Sequence, residues 1–113
     1  ELGLAADTPL AGIVARFDPQ KDHRTFCGAM RVARRRVPRL RAVLAGTDCT
    51  PDNPMLAAWL REAGLVDAVH LLGRRTDPTA ILNALDVLVS SSNGEGFSNT
   101  IGEAMACGVP AVV

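Results

Sequence analysis

Two carboxylates eight residues apart, Glu95 and Glu103, stand in a run of small polar and glycine residues spanning 90–108. An ionised carboxylate only accepts hydrogen bonds, so it suits a vicinal diol, taking one hydroxyl proton on each oxygen. Between the two acids, Gly96, Phe97, Ser98, Asn99 and Thr100 lead into a helix-like segment that ends at Cys107 and Gly108. The first N–H groups of a helix lack partners and its dipole is positive there, so such a start favours an anion. Far away in the chain, Arg16 and Lys21 offer a planar fork and a point charge, the two cationic shapes that hold phosphate. Lys21 is the sole lysine among the 12 basic residues. Backbone donors and cations for phosphate, with carboxylates for hydroxyls, describe a site for a sugar joined to a nucleoside diphosphate.

Each of these residues also has a plainer role. Thr100 and Glu103 have the spacing of a capping box, in which Glu103 bonds back to the helix start. Glu95, between two glycines, can be a solvated turn residue. Arg16 can pair with Asp18 and leave Lys21 in water. His23, close to a helix start, reads as incidental rather than as a ligand. Arg31, Arg34, Arg35 and Arg36 read as a solvated helix face that also suits the negative end of the helix.

The elements that must position these groups alternate. Apolar runs at 10–16, 40–45, 69–72, 87–89 and 109–113 are short and rich in branched residues, so they read as buried strands. Helical patterns lie between them at 20–37 and 55–63, from about Thr76 to Leu85, and before Gly108. In the first, Phe26, Met30, Ala33 and Val37 are spaced to share one face. In the second, Trp59 is expected to pack against the sheet. The third has Pro78 in its first turn.

This β-α-β alternation predicts an α/β fold: a doubly wound, Rossmann-like parallel sheet of order 3-2-1-4-5 with helices on both faces. In that order strands 1 and 4 are neighbours where the winding reverses, and ligands of open α/β sheets bind outside the carboxyl ends at that point. The loop carrying Arg16 and Lys21 and the loop carrying Glu95 thus share one crevice.

Composition narrows the function further. The chain has 113 residues, 48% hydrophobic content and a formal net charge of zero. That gives enough apolar matter for one small core and no global field for nucleic acid. Residues 61–113 are net acidic, and most arginines precede them. No apolar run reaches the ~20 residues of a membrane span. Cys27, Cys49 and Cys107 are odd in number and unpaired in spacing, which argues against a zinc site or disulfide framework and fits a reducing cytoplasm. No Gly-x-Gly-x-x-Gly follows the first strand and no Gly-Lys-Ser/Thr is present, which disfavours dinucleotide oxidoreductases and P-loop NTPases.

The run Glu95-Gly-Phe-Ser-Asn-Thr-Ile-Gly-Glu103-Ala-Met-Ala-Cys-Gly-Val-Pro resembles the E-x7-E signature of GT-B glycosyltransferases, closest to the retaining family GT4. The segment from Gly12 through Arg16 to Lys21 resembles that family's "GR…K" stretch, and "VLAG" at 43–46 and "HLLG" at 70–73 match further landmarks. The family often has Gly where Ser98 stands and a bulkier residue where Gly102 stands. The resemblance covers about residues 10–113.

It implies the C-terminal, donor-binding half of a GT-B fold, truncated at its C-terminus, with 1–113 forming one incomplete domain. The partner would be a nucleoside-diphosphate sugar, with Arg16 and Lys21 on the diphosphate, Glu95 at the transferred sugar and Glu103 on the ribose. Amides of Gly96 to Thr100 would reach sugar and phosphates, and Gly73 and Arg74 the base. Glu95, Arg16 and Lys21 would carry the catalysis, with neither metal nor cofactor. The acceptor-binding N-terminal domain would be missing, so the fragment alone is expected not to turn over. Membrane association of the full enzyme, at the inner face of a membrane, is not encoded here. A nucleotide-sugar epimerase domain and a non-catalytic sugar-nucleotide-binding module remain the alternatives.

Overall fold

The computed structural model describes residues 8–18, 21–76, 78–89, 108 and 110–112. They form β1 (Leu10–Val14), α1 (His23–Arg36), β2 (Arg41–Ala45), α2 (Pro54–Glu62), β3 (Val69–Gly73), α3 (Pro78–Ala84), β4 (Val87–Val89) and β5 (Ala111–Val112). All pairings are parallel and the sheet order is β3-β2-β1-β4-β5. The order expected from the alternation is therefore the one observed.

Strand residues alternate between two cores because successive side chains point to opposite faces. Ala11, Ile13, Ala42, Leu44 and Val69 join Phe26, Cys27, Met30, Leu56 and Leu60 under α1 and α2. Leu10, Val43, Ala45 and Leu88 join Ile81, Leu82 and Leu85 on the α3 side. Both faces are covered, which is why the strands read as nearly continuous apolar runs. Gly12 admits the residue that follows α3 closely: a Cβ there would stand 2.8 Å from Leu85 Cδ2.

β1 and β2 pair along five residues, from Leu10↔Arg41 to Val14↔Ala45. Among the described residues, β1 pairs with β4 at Ala11↔Val87 and Gly12↔Leu88. Asp86 ties its amino end: the Leu10 N–H donates to Asp86 Oδ2 at 2.7 Å, and the Asp86 N–H donates to the Leu10 carbonyl at 2.7 Å.

Several boundaries differ from the sequence reading. β1 stops at Val14 rather than at Arg16, because its neighbour β2 ends at Ala45, where Gly46 turns at φ +146°; the Ala15 and Phe17 N–H groups still bond Ala45 O and Thr47 O at 2.9 and 2.8 Å. α1 begins at His23, so Lys21 does not open the helix but precedes its cap, Asp22. Asp22 takes a left-handed conformation and accepts from the Thr25 N–H and hydroxyl at 3.3 and 2.6 Å. The buried face of α1 is His23, Phe26, Cys27 and Met30. Val37 lies off that face because it is the C-cap, with φ −127°, and it is exposed. The arginine cluster behaves as expected: Arg34 donates to the Leu40 and Pro38 carbonyls past the helix end, and Arg31, Arg35 and Arg36 are exposed.

Candidate functional site

The carboxyl ends of β1, β2 and β3 open onto a cleft of about 200 Å³ lined by Val14, Ala15, Arg16, Ala45, Gly46, Thr47, Arg74, Arg75 and Ile81. Its floor is strand backbone and its charged wall is three arginines. Two glycines build the floor. Gly46, at φ +146°, runs so close to β1 that a Cβ would stand 2.1 Å from the Ala15 carbonyl oxygen. Its N–H donates to the Gly73 carbonyl at 2.7 Å. Gly73, at φ +64°, turns the chain out of β3 and delivers Arg74 and Arg75 to the cleft.

Arg16 is paired as the plainer reading allowed: its Nε lies 3.4 Å from Asp18 Oδ2, with the Arg16 side chain 70% exposed. An exposed pair of this kind is worth about 0–1 kcal/mol, so an incoming anion displaces it at little cost. Lys21 is half-buried, its N–H donating to the Asp18 carbonyl at 2.9 Å. It is not among the residues lining this cleft. Arg16 and Arg74 are therefore brought together, while Gly73 serves from behind. Glu95, Gly96, Phe97, Ser98, Asn99, Thr100 and Glu103 lie outside the described residues.

Two neighbours of the site were not read as part of it. Arg75 follows Arg74 with only its charge to mark it. His23 is fully buried at 1% exposure, its ring centroid 5.0 Å from that of Phe17, which in turn lies 5.5 Å from that of Trp59. Trp59 thus packs on the β1 exit as well as on the core beneath it. His23 Nε2 is 3.9 Å from Cys49 Sγ, and Nδ1 has no partner among the described residues. Burial lowers the His23 pKa below its ordinary 6.5, against the raising effect of Asp22 and Asp18, while Lys21 lowers it further. Burial, with Asp48 nearby, pushes the Cys49 thiol up to about 11, and burial alone does the same for Cys27, so both are poor nucleophiles.

A parallel doubly wound sheet with its cleft at the carboxyl ends defines a Rossmann-like α/β domain, of the kind that forms the C-terminal domain of GT-B glycosyltransferases. Residues 8–113 match the family described as "Glycosyl transferases group 1", and the chain belongs to that family.

Among its relatives, EpsF of Bacillus subtilis (strain 168) is 31% identical over 114 residues, which cover 98% of this chain and 28% of EpsF. The lipopolysaccharide core biosynthesis mannosyltransferase LpsB of Rhizobium meliloti (strain 1021) is 32% identical over 114 residues, 98% of this chain and 32% of LpsB. Among solved structures, Anabaena HepE in complex with UDP and glucose superposes with a TM-score of 0.81 at 27% identity, covering 94% of this chain and 29% of HepE. The same protein has also been solved with UDP-glucose. The chain thus spans about three-tenths of the length of the relatives it matches.

Proposed function

We propose that this chain is the donor-binding domain of a retaining GT4 glycosyltransferase, which moves a sugar from a nucleoside-diphosphate sugar to an acceptor. The observation that carries this is the cleft at the carboxyl ends of β1 to β3, walled by Arg16, Arg74 and Arg75. Three cations over strand-end backbone suit a dianionic diphosphate. Family membership and the UDP and UDP-glucose complexes of HepE support the same ligand class.

In this reading Arg16 releases Asp18 and forks onto the diphosphate, and Lys21 approaches from the other arm of the same loop. Glu95 orients the transferred sugar, amides of Gly96 to Thr100 reach sugar and phosphates, and Glu103 holds the ribose hydroxyls. Gly73 and Arg74 flank the base. Catalysis consists of holding the donor and neutralising the leaving diphosphate as charge develops on it, with no metal required. The acceptor would be bound by an N-terminal domain of the intact protein, which the reading assigns to the cytoplasmic side of the cell.

The test is titration of the full-length protein with UDP-, GDP- and ADP-sugars, followed by an anomeric assignment of the product by NMR. Binding of one sugar nucleotide, weakened on Lys21→Ala, together with retained anomeric configuration, is the expected result. Failure of all three classes to bind overturns the donor assignment, and an inverted product overturns the retaining one.

A further inference from the structure

The loop between β1 and α1 has two arms. One carries Arg16 and Phe17, and the other carries Lys21 and leads into His23. The first arm is anchored by backbone: the Ala15 and Phe17 N–H groups bond Ala45 O and Thr47 O at 2.9 and 2.8 Å. The second meets it through rings, His23 lying 5.0 Å from Phe17 at 36°. Beneath both, the Cys49 thiol lies 3.5 Å from the Ala15 carbonyl and 3.9 Å from His23 Nε2. His23 therefore touches the anchored arm and the β2 exit at once, and it is the first residue of α1.

An apolar ring would fill this space at lower cost, because a buried nitrogen without a partner loses hydration for nothing. His23 Nδ1 is such a nitrogen. What imidazole adds over an apolar ring is a charge state. We propose that His23 is a positioning residue for the diphosphate grip: in its neutral form the buried ring closes on Phe17 and Cys49 and sets the separation of the arms carrying Arg16 and Lys21, and protonation loosens that clasp. This rests on the reading of Arg16 and Lys21 as diphosphate ligands.

The groups around the ring fit a clasp that is closed when neutral. Asp18 on the β1 exit and Asp22 at the α1 cap favour the charged form, and Lys21 opposes it. Arg24, also on α1, lines the cavity of about 300 Å³ that His23 borders. Cys49 faces the ring from the β2 exit with a protonated thiol. From α2 come only the uncharged Met55 and Trp59. Burial outweighs the two aspartates, so the neutral ring prevails near neutral pH and yields to acid.

The experiment measures affinity of the full-length protein for its nucleoside-diphosphate sugar from about pH 7.5 down to about pH 4.5, a range that takes in the ordinary histidine value and the lower one that burial imposes. A sugar nucleotide is the right probe, because its diphosphate is esterified at both ends and keeps its charge across that range, unlike UDP. Wild type should lose affinity by up to about tenfold per unit of pH once the ring charges. His23→Phe keeps a ring against Phe17 and cannot titrate, so its affinity should hold across the range. If that variant does not fold, His23→Gln serves, since an amide still reaches Cys49. Nitrogen-15 shifts of the His23 ring should titrate with the loss of affinity.

Two outcomes overturn the proposal: a non-titrating variant with the wild-type acid loss, or a ring that stays neutral while affinity falls. If Lys21→Ala weakens binding and either outcome is found, only the role of His23 falls. If Lys21→Ala changes nothing at neutral pH, the diphosphate reading falls with it.

Discussion

Gly46 lies against Ala15 at a distance no side chain tolerates: a Cβ on Gly46 would stand 2.1 Å from the Ala15 carbonyl oxygen and 2.8 Å from the Arg16 nitrogen. The obstacle is backbone, which cannot rotate away as a side-chain tip can. Gly46→Ala should therefore destabilise the domain by about 2–4 kcal/mol, since overpacking and an adverse φ act together. It should also displace Arg16, whose own nitrogen is one of the clashing atoms. Denaturant unfolding of the variant measures the first effect and donor titration the second. An unchanged midpoint would show that the β1 and β2 exits are looser than their geometry states.

Arg16 and Lys21 should separate binding from stability. The Arg16 pair with Asp18 is exposed, so Arg16→Ala should shift unfolding by no more than about 0.5 kcal/mol. Either Arg16→Ala or Lys21→Ala should weaken sugar-nucleotide binding by about 1.5–3 kcal/mol, the usual worth of a hydrogen bond to a charged group. Calorimetric titration alongside thermal melting reads both quantities on the same samples. A loss of stability matching the loss of affinity would count against a direct role.

Asp86 should matter through one nitrogen. Its carboxylate takes the N–H of Leu10, a residue only 5% exposed. Asp86→Ala should cost about 1–3 kcal/mol, the penalty for stranding a buried donor. Asp86→Asn keeps an acceptor oxygen and should recover most of it. Equal losses for both variants would point to charge rather than to the hydrogen bond.

Acid should destabilise the fold through its two histidines. His23 and His70 both have pKa values held below 6.5 by burial, and Arg41 lowers that of His70 further. The unfolded chain then binds more protons than the native one as pH falls below 6.5, so stability declines from there toward the lower native values. Above that window both states hold neutral rings and the contribution is constant. Denaturant midpoints between about pH 8 and about pH 5 check the sign. Stability rising with acidity would contradict it.

The sheet order was legible because the central strands β1 and β2 are buried on both faces and so leave apolar runs, and because the β-α-β alternation admits few windings. The arginine cluster was legible for the same local reason, its residues lying beyond the apolar face in the last turns of α1. The α1 face was misjudged at its far end. Val37 keeps the spacing, but as the C-cap it leaves the helix before its side chain can follow. His23 looked incidental because Cys49 is 26 positions away and meets it only once α1 packs over the β2 exit, while the Phe17 ring reaches it across a loop with no pattern to mark the contact. Arg75 had no pattern to mark it, since only the turn at Gly73 aims it at the cleft. The two acids that first suggested a diol, Glu95 and Glu103, lie outside the described residues, so their part rests on sequence.

The fastening between β1 and β4 has a mechanical consequence. Asp86 bolts these strands together at their amino ends, and the two paired positions beyond it are Ala11 and Gly12. That fastening sits at the end of β1 away from the cleft that Val14 and Arg16 line. A guest arriving at the carboxyl end would leave that fastening untouched, and the sheet would keep its shape while filled and while empty.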